Sequence, residues 1–364
     1  MTIAYDLRYA SDHFPGVGTY AYWLLRSLLA QPHRERFQVL WDPGTRNTRF
    51  DLDPIRSDPR VTWVDRRLPA LGLASPFGAG RLLKGLRPDV YFSPFYLRPF
   101  APGCPCVLVL HDVQPLRLGG SGGPAGRMLF RLALRQTVRA DRVVTDSEFS
   151  RAEILAVTGL APGRVTVVRP GVPRDSAVPA MRRPAGLPEG PFALAVGINK
   201  PHKNLRTLAM AWEAFGRDAP LRLVHAGPRD PRHPVLAGIP GGAPVLALGR
   251  VDEEELAWLY RHAMLLVFPS VYEGFGFPLL EAMAAGLPAL VADIPPLREL
   301  GGEAARYLPP RDPAVWAAAV RALTADEGER TRLAMAGRAR AADFQYSRTA
   351  AEVLEVIRAV AKAT

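Results

Sequence analysis

Cysteine is nearly absent: among 364 residues only Cys104 and Cys106 carry thiols. One residue apart around Pro105, they would close too short a ring for an unstrained disulfide. They read as reduced bystanders beside a buried strand, which excludes a disulfide-stapled scaffold. No apolar run approaches the roughly 18 residues that a membrane-crossing helix needs. The N-terminus enters a strand-like stretch, Thr2 to Arg8, with no charged region, apolar segment and cleavage site before it. The expected location is the cytoplasm, with peripheral contact at the inner face of the membrane left open. Lysine is scarce too: 42 of the 46 basic residues are arginine. Two of the four lysines, Lys200 and Lys203, share one loop, where a compact ammonium is wanted rather than a planar fork.

What is present describes a globular chain. At 48% hydrophobic and 22% charged residues, it has apolar surface for two cores and too little charge for disorder. Its length exceeds that at which single cores stop growing, so two domains of roughly 170 residues are expected. The formal charge of +11 points to anionic partners: nucleic acid, phosphorylated substrates or an acidic membrane. Net charge alone does not choose among them.

Short β-branched runs alternate with helical patterns, the signature of βαβ units and parallel sheets. Strands are expected near 2–7, 36–41, 60–64, 89–92, 106–110, 142–145 and 164–168. A second series falls near 192–197, 221–225, 244–248, 264–268 and 288–292. Between them, Val178 to Gly190 is rich in Pro and Gly and reads as a linker. Helical patterns over 313–323 and 328–342 and a last amphipathic helix follow. The fold class is α/β, two Rossmann-like domains with parallel sheets: residues 1–180 with a returning helix at about 345–364, and residues 191–344. Ligands of such sheets bind outside the carboxyl ends of the strands, so two facing sheets would make an interdomain cleft.

The most specific stretch is Pro269 to Pro288, directly after the strand Leu265 to Phe268. Pro278 suits the first turn of a helix, and Gly286 suits its C-terminal cap. Glu273 then sits on the strand-to-helix loop and Glu281 inside the helix. Gly274 and Gly276, around Phe275, leave the backbone open, and the helix N-terminus offers amides to a phosphate. Two carboxylates would repel phosphate, so they read better as acceptors for sugar and ribose hydroxyls. A second loop, Val196 to Leu205, brings Asn199, Lys200 and Lys203 to the start of a helix near Asn204. There the ammonium groups could neutralise a diphosphate leaving group.

Elsewhere, Gly16-Val17-Gly18 opens a helix and Asp42 ends a later strand, a superficial dinucleotide fingerprint. The glycines lie eight or more residues past the strand, without the tight turn that a nicotinamide site uses. His111-Asp112 ends a strand and fits either a functional or a structural histidine. Asp51 and Asp53 resemble a metal-binding pair of another transferase fold, but a loop context beside Pro54 makes that pairing accidental. Arg127, Arg131, Arg135 and Arg139 recur every four residues with Met128, Leu129, Leu132 and Val138 between them. Such a stripe is either a solvated face or a contact for anionic lipid.

Together these motifs resemble the family 4 retaining glycosyltransferases of the GT-B fold, a bacterial mannosyltransferase-like group. The likeness rests on Gly16 to Gly18, His111-Asp112, Asp146 to Ser150, Val167 to Gly171, Pro201 to Asn204 and above all Glu273 through Glu281. It implies that Glu273 binds the donor sugar and stabilises charge at its anomeric carbon, that Glu281 holds the ribose, and that Lys203 neutralises the diphosphate. His111 would lie by the sugar and acceptor, with base contacts around Arg250 and Val251. It further implies transfer of a hexose or deoxyhexose from an NDP-sugar to a glycan or lipid-linked acceptor, with no metal, cofactor or nucleic acid. One departure is that Ile198 and His202 stand where the family carries an arginine, leaving Lys200 or Asn199 as substitutes. The residues alone also admit an NAD-dependent oxidoreductase using Gly16, Gly18 and Asp42, or a non-catalytic glycan- or nucleic-acid-binding protein.

Overall fold

The computed structural model describes residues 1–72, 74–118, 123–172, 181–228, 230–233 and 243–363. It divides into two compact units, Met1–Pro173 with Phe344–Thr364, and Arg174–Asp343.

The first unit holds β1 (Thr2–Asp6), β2 (Arg36–Trp41), β3 (Val61–Asp65), β4 (Val90–Ser93), β5 (Cys106–Val109), β6 (Arg142–Thr145) and β7 (Val165–Val167). They pair in the order β3-β2-β1-β4-β5-β6-β7, every pair parallel. The central strands are buried on both faces, as in sheets covered by helices: all four residues of β4 and of β5 lie in the core. Order changes direction between β1 and β4. There Asp6 accepts both the Nε of Arg8 at 2.8 Å and its Nη2 at 2.6 Å, and also the Tyr91 hydroxyl at 2.6 Å. Arg8 Nη1 also donates to the Leu68 carbonyl at 3.2 Å, and together these bonds offset the desolvation of the buried pair. Cys104 and Cys106 are free, and burial pushes their thiols up to about 11 and about 12.

The helix Tyr346–Lys362 belongs to this unit and packs Val353, Leu354, Ile357 and Val360 into the same cluster as Leu24 and Leu28 of the helix Pro15–Leu29. Arg358 Nε donates to Glu35 at 2.7 Å and Thr349 Oγ1 to the Arg169 carbonyl at 2.8 Å. Val172 and Gln345 form a parallel bridge, and Gly171 lies so close that a Cβ would stand 2.1 Å from the Tyr346 nitrogen.

The second unit holds β8 (Phe192–Val196), β9 (Arg222–Ala226), β10 (Val245–Gly249), β11 (Leu265–Phe268), β12 (Ala289–Ala292) and β13 (Arg306–Leu308), paired in parallel as β10-β9-β8-β11-β12-β13. β13 escaped the sequence reading because this edge strand is three residues long and has no β-branched residue. The segment 181–190 carries no helix or strand, and positions 178–180 of the expected linker lie outside the described residues. Arg182 pairs with Glu255 at 2.8 Å and with Asp252, binding that segment to the start of the helix Glu253–His262.

Candidate active site

In the second unit the strand order reverses between β8 and β11, so the loops after Val196 and Phe268 leave neighbouring strand ends on one edge, the position where such sheets hold ligands. The first loop tightens into a single 3-10 turn, Pro201–Lys203, followed by Asn204 in the left-handed region at φ 52°. Asn204 donates to the Pro269 carbonyl at 3.0 Å, and the Val271 amide donates to the His202 carbonyl at 2.8 Å, stitching the two loops together. Lys203 Nζ thereby reaches Glu273 Oε1 at 2.7 Å, with the two side chains 15% and 12% exposed. The ammonium also lies 5.2 Å from the centre of the Phe268 ring. His202 is pushed down to about 4, first by burial and then by the Lys203 ammonium, with Glu273 acting in the opposite sense. Its ring is therefore neutral at pH 7. Lys200 is half-buried and makes no ion pair among the described residues.

Close backbone approach also holds the first loop against the segment that follows β9. A Cβ on Gly227, whose φ is +157°, would stand 2.1 Å from the Gly197 carbonyl oxygen. On the other loop Gly276 caps the helix Phe277–Ala285 at φ 111°, with Pro278 in the first turn and Gly286 closing the end at φ 72°. Gly274 precedes the buried Phe275. Glu281 follows one turn into this helix, and its Oε2 accepts the hydroxyl of Tyr260 at 2.6 Å.

Asn199, one of the two candidate substitutes for the absent arginine, is engaged within the fold. Its side-chain amide donates to the carbonyls of Asp230 at 3.1 Å and His233 at 2.6 Å and also receives the Asp230 amide, so it ties loop to loop. Arg250 is exposed and Val251 half-buried at the foot of the helix Glu253–His262, where Asp252 and Glu255 form a reciprocal cap.

In the first unit Gly16 and Gly18 sit in the first turn of the helix Pro15–Leu29. A Cβ on Gly18 would stand 2.9 Å from the Tyr9 carbonyl. Asp42 accepts the Gly44 amide at 2.9 Å within its own turn. His111, at the end of β5, has both ring nitrogens engaged: Nδ1 lies 2.7 Å from Asp146 Oδ2 and Nε2 3.0 Å from the Pro94 carbonyl. A carbonyl only accepts and the carboxylate is an acceptor when ionised, so this environment favours a ring protonated on both sides. Burial opposes that charge, but Asp146 outweighs it and raises the imidazole above its ordinary value. Asp51 Oδ1 accepts the Asp53 amide at 3.0 Å, a local turn. The helix carrying the arginine stripe spans Gly123–Thr137, so Arg139 lies beyond its end. It buries Phe130 and Leu134 and exposes Met128, Leu129 and Leu132.

Two parallel-sheet α/β units, with this carboxylate and ammonium at the strand ends of the second, define a glycosyltransferase fold of the GT-B type. Residues 15–176 match the family described as Glycosyltransferase Family 4, and residues 190–326 match the domain described as Glycosyl transferases group 1. The chain belongs to the family 4 glycosyltransferases. It is 32% identical over 187 residues to the O-antigen chain mannosyltransferase B of Escherichia coli, covering 48% of this chain and 49% of that protein. It is also 32% identical over 270 residues to the D-inositol 3-phosphate glycosyltransferase of Kineococcus radiotolerans, covering 66% of this chain and 61% of the relative. The chain thus spans about half to three fifths of these curated relatives. Sucrose-phosphate synthase from Thermosynechococcus elongatus superposes with a TM-score of 0.74 at 19% identity over 100% of both chains. The Anabaena protein HepE in complex with UDP-glucose gives 0.72 at 17% identity over 99% of this chain and 100% of that one.

Proposed function

We propose that the chain moves a hexose or deoxyhexose, mannose by preference, from a nucleoside diphosphate sugar to a hydroxyl of a glycan or lipid-linked acceptor, with retention of anomeric configuration. The observation that carries this reading is the contact between Lys203 and Glu273 at 2.7 Å, at the strand ends beside a helix N-terminus. In this reading Lys203, assisted by Lys200 and the amides of Gly274 to Gly276, meets the departing diphosphate and stabilises its growing charge. Glu273 then faces the anomeric carbon, where its carboxylate stabilises the positive charge that develops as the glycosidic bond to phosphate breaks. Glu281 accepts from the ribose, and Arg250 and Val251 lie toward the base. These protein groups supply the positive charge at the phosphates, so we propose a metal-independent reaction with the nucleotide sugar as sole co-substrate. The first unit takes the acceptor. His111 serves there as a fixed positive charge rather than a proton carrier, because both its ring nitrogens are held by the protein. The UDP-glucose bound by the structural neighbour and the mannosyltransferases among the relatives support a nucleotide-sugar donor and a mannose-like sugar respectively.

The exposed Met128, Leu129 and Leu132 beside Arg127, Arg131 and Arg135 support a peripheral contact with anionic lipid as the way a lipid-linked acceptor is reached.

Thermal shift against UDP-, GDP- and dTDP-sugars, with NAD and single-stranded DNA as controls, tests the reading. One nucleotide sugar should raise the Tm of the native chain and leave Glu281→Ala unmoved, since a ligand of the folded state stabilises it. Stabilisation by NAD or DNA and by no nucleotide sugar refutes the transferase reading.

A further inference from the structure

We infer that the second unit carries a saccharide subsite of its own, built around Trp258 and holding one neutral pyranose ring of a glycan. The subsite lies outside the proposed donor machinery and needs no nucleotide.

A cavity of about 220 Å³ opens between the segment 181–190, the start of β8 and the end of the helix Glu253–His262, with Arg183, Glu189, Phe192, Trp258 and His262 in its wall. Phe192 begins β8, and Val196, from which the Lys203 loop departs, ends it. The cavity therefore stands at the opposite edge of the sheet from the proposed donor site, a strand's length of about 13 Å away. Its volume falls below the roughly 300–1,000 Å³ of pockets for drug-sized ligands and suits a single ring. The half-buried Trp258 indole lies nearly parallel to two other rings: 11° from His262 with centres 4.1 Å apart, and 6° from Phe192 at 6.3 Å. The Arg183 guanidinium stands 5.7 Å from the indole centre. The wall is set in advance, which lowers the ordering cost of binding. Arg183 Nη1 donates to Glu189 at 3.1 Å and Nη2 to the Leu187 carbonyl at 3.0 Å, while the neighbouring Arg182 pairs with Glu255 of the same helix. His262 Nδ1 lies 2.8 Å from the Trp258 carbonyl, which only accepts, so the proton sits on Nδ1 and Nε2 is an acceptor when the ring is uncharged. Two guanidinium N–H groups of Arg183 are used, and the Trp258 indole N–H donates to no group among the described residues. Donors thus stand beside the acceptors Glu189 and His262 Nε2. A hydroxyl both donates and accepts, so a polyol ring uses both kinds of group while its C–H face lies on the aromatic surface. A phosphate could use the donors alone and would meet the Glu189 carboxylate. Arg183 and Glu189 cancel, so this pair gives the cavity no charge to draw an anion.

The test follows the indole N–H signals of the six tryptophans by NMR in the whole, isotope-labelled chain. It is titrated with methyl α-D-mannopyranoside, methyl α-D-glucopyranoside and mannotriose, in buffer alone and with UDP or GDP in excess. Trp258→Phe assigns the signal, and if that variant fails to fold, replacing the other tryptophans in turn assigns it by elimination. The expected result is a saturable shift of the Trp258 signal with at least one saccharide, at a dissociation constant that nucleotide leaves unchanged. Arg183→Ala, a change at an exposed side chain, should weaken saccharide binding about tenfold, as for loss of one hydrogen bond to a charged group, while nucleotide affinity holds. A Trp258 signal unmoved by all three saccharides, equal affinity in the wild type and Arg183→Ala, or a shift abolished by nucleotide overturns the subsite. A saturable shift in a chain that binds neither UDP nor GDP supports the subsite and refutes the donor reading, so the two fail separately.

Discussion

Lys203 Nζ and Glu273 Oε1, seventy residues apart in sequence, meet at 2.7 Å with both side chains largely shielded from water. Each carries the charge that the other neutralises, and in the proposed reaction each has a different destination: the ammonium would go to the diphosphate and the carboxylate to the sugar. Removing one leaves the other uncompensated at a shielded position, which costs more than loss of the contact alone.

Glu273→Gln is expected to retain nucleotide binding and to lower kcat by about a hundredfold or more, the scale set by loss of one preorganised electrostatic group. Lys203→Ala is expected to weaken binding of the nucleoside diphosphate as well as turnover. Initial rates with a radiolabelled nucleotide sugar, beside calorimetric titration with the nucleoside diphosphate, separate the two effects.

His111 and Asp146 predict a pH dependence of stability. The folded-state imidazole is raised above its ordinary value of about 6.5. Its contribution is therefore fully present below that unfolded value and fades as pH rises through the folded value. The Tm gap between the wild type and His111→Gln should be widest near pH 6 and narrow toward pH 9. Asp146→Asn, which leaves a cationic ring without its counter-charge, should cost about 3 kcal/mol in urea unfolding at pH 6.

Gly227→Ala should destabilise the second unit. Its Cβ would enter the space of the Gly197 carbonyl oxygen at a backbone angle that side chains rarely adopt. The loss is expected at about 2–4 kcal/mol, the range for backbone strain combined with steric conflict. Nucleotide affinity should fall with it, because Gly197 opens the loop that carries Lys203. Differential scanning calorimetry with and without nucleotide checks both.

Replacing Leu129 and Leu132 with Glu should abolish co-sedimentation with phosphatidylglycerol vesicles and leave binding of nucleotide in solution unchanged. Neutral phosphatidylcholine vesicles should retain little of even the wild type. Equal binding of the wild type and this variant to the anionic vesicles would refute lipid contact by this helix.

Most of the fold was legible because parallel sheets bury their strands on both faces, leaving β-branched runs such as Val107 to Leu110 that read from composition alone. The edge strand β13 was not legible, because a strand of three residues at the margin need carry no such run. In the site, Glu273, Gly276, Pro278 and Lys203 stood out because local chemistry constrains them: a helix start, a left-handed cap and a rare ammonium. Tyr260, the pairing of Asp146 with His111 and the structural use of Asn199 did not stand out. Each depends on a partner 21, 35 or 31 residues away, brought close by sheet order rather than by spacing. His111 was legible as a strand-end residue, but the engagement of both its nitrogens was not.

The bridge between Val172 and Gln345, with Gly171 pressed against the Tyr346 backbone, makes the chain depart from the first unit and come back to it through adjacent doorways. In architectural terms the second unit is a guest inserted into a host whose own framework closes across the gap. A host built this way tolerates exchange of its guest, since both cut ends lie side by side. The machinery proposed to read the nucleotide sugar is therefore carried on one transplantable cassette, and donor choice can change by recombination at two neighbouring points while the framework around Asp6, Arg8 and the closing helix stays intact.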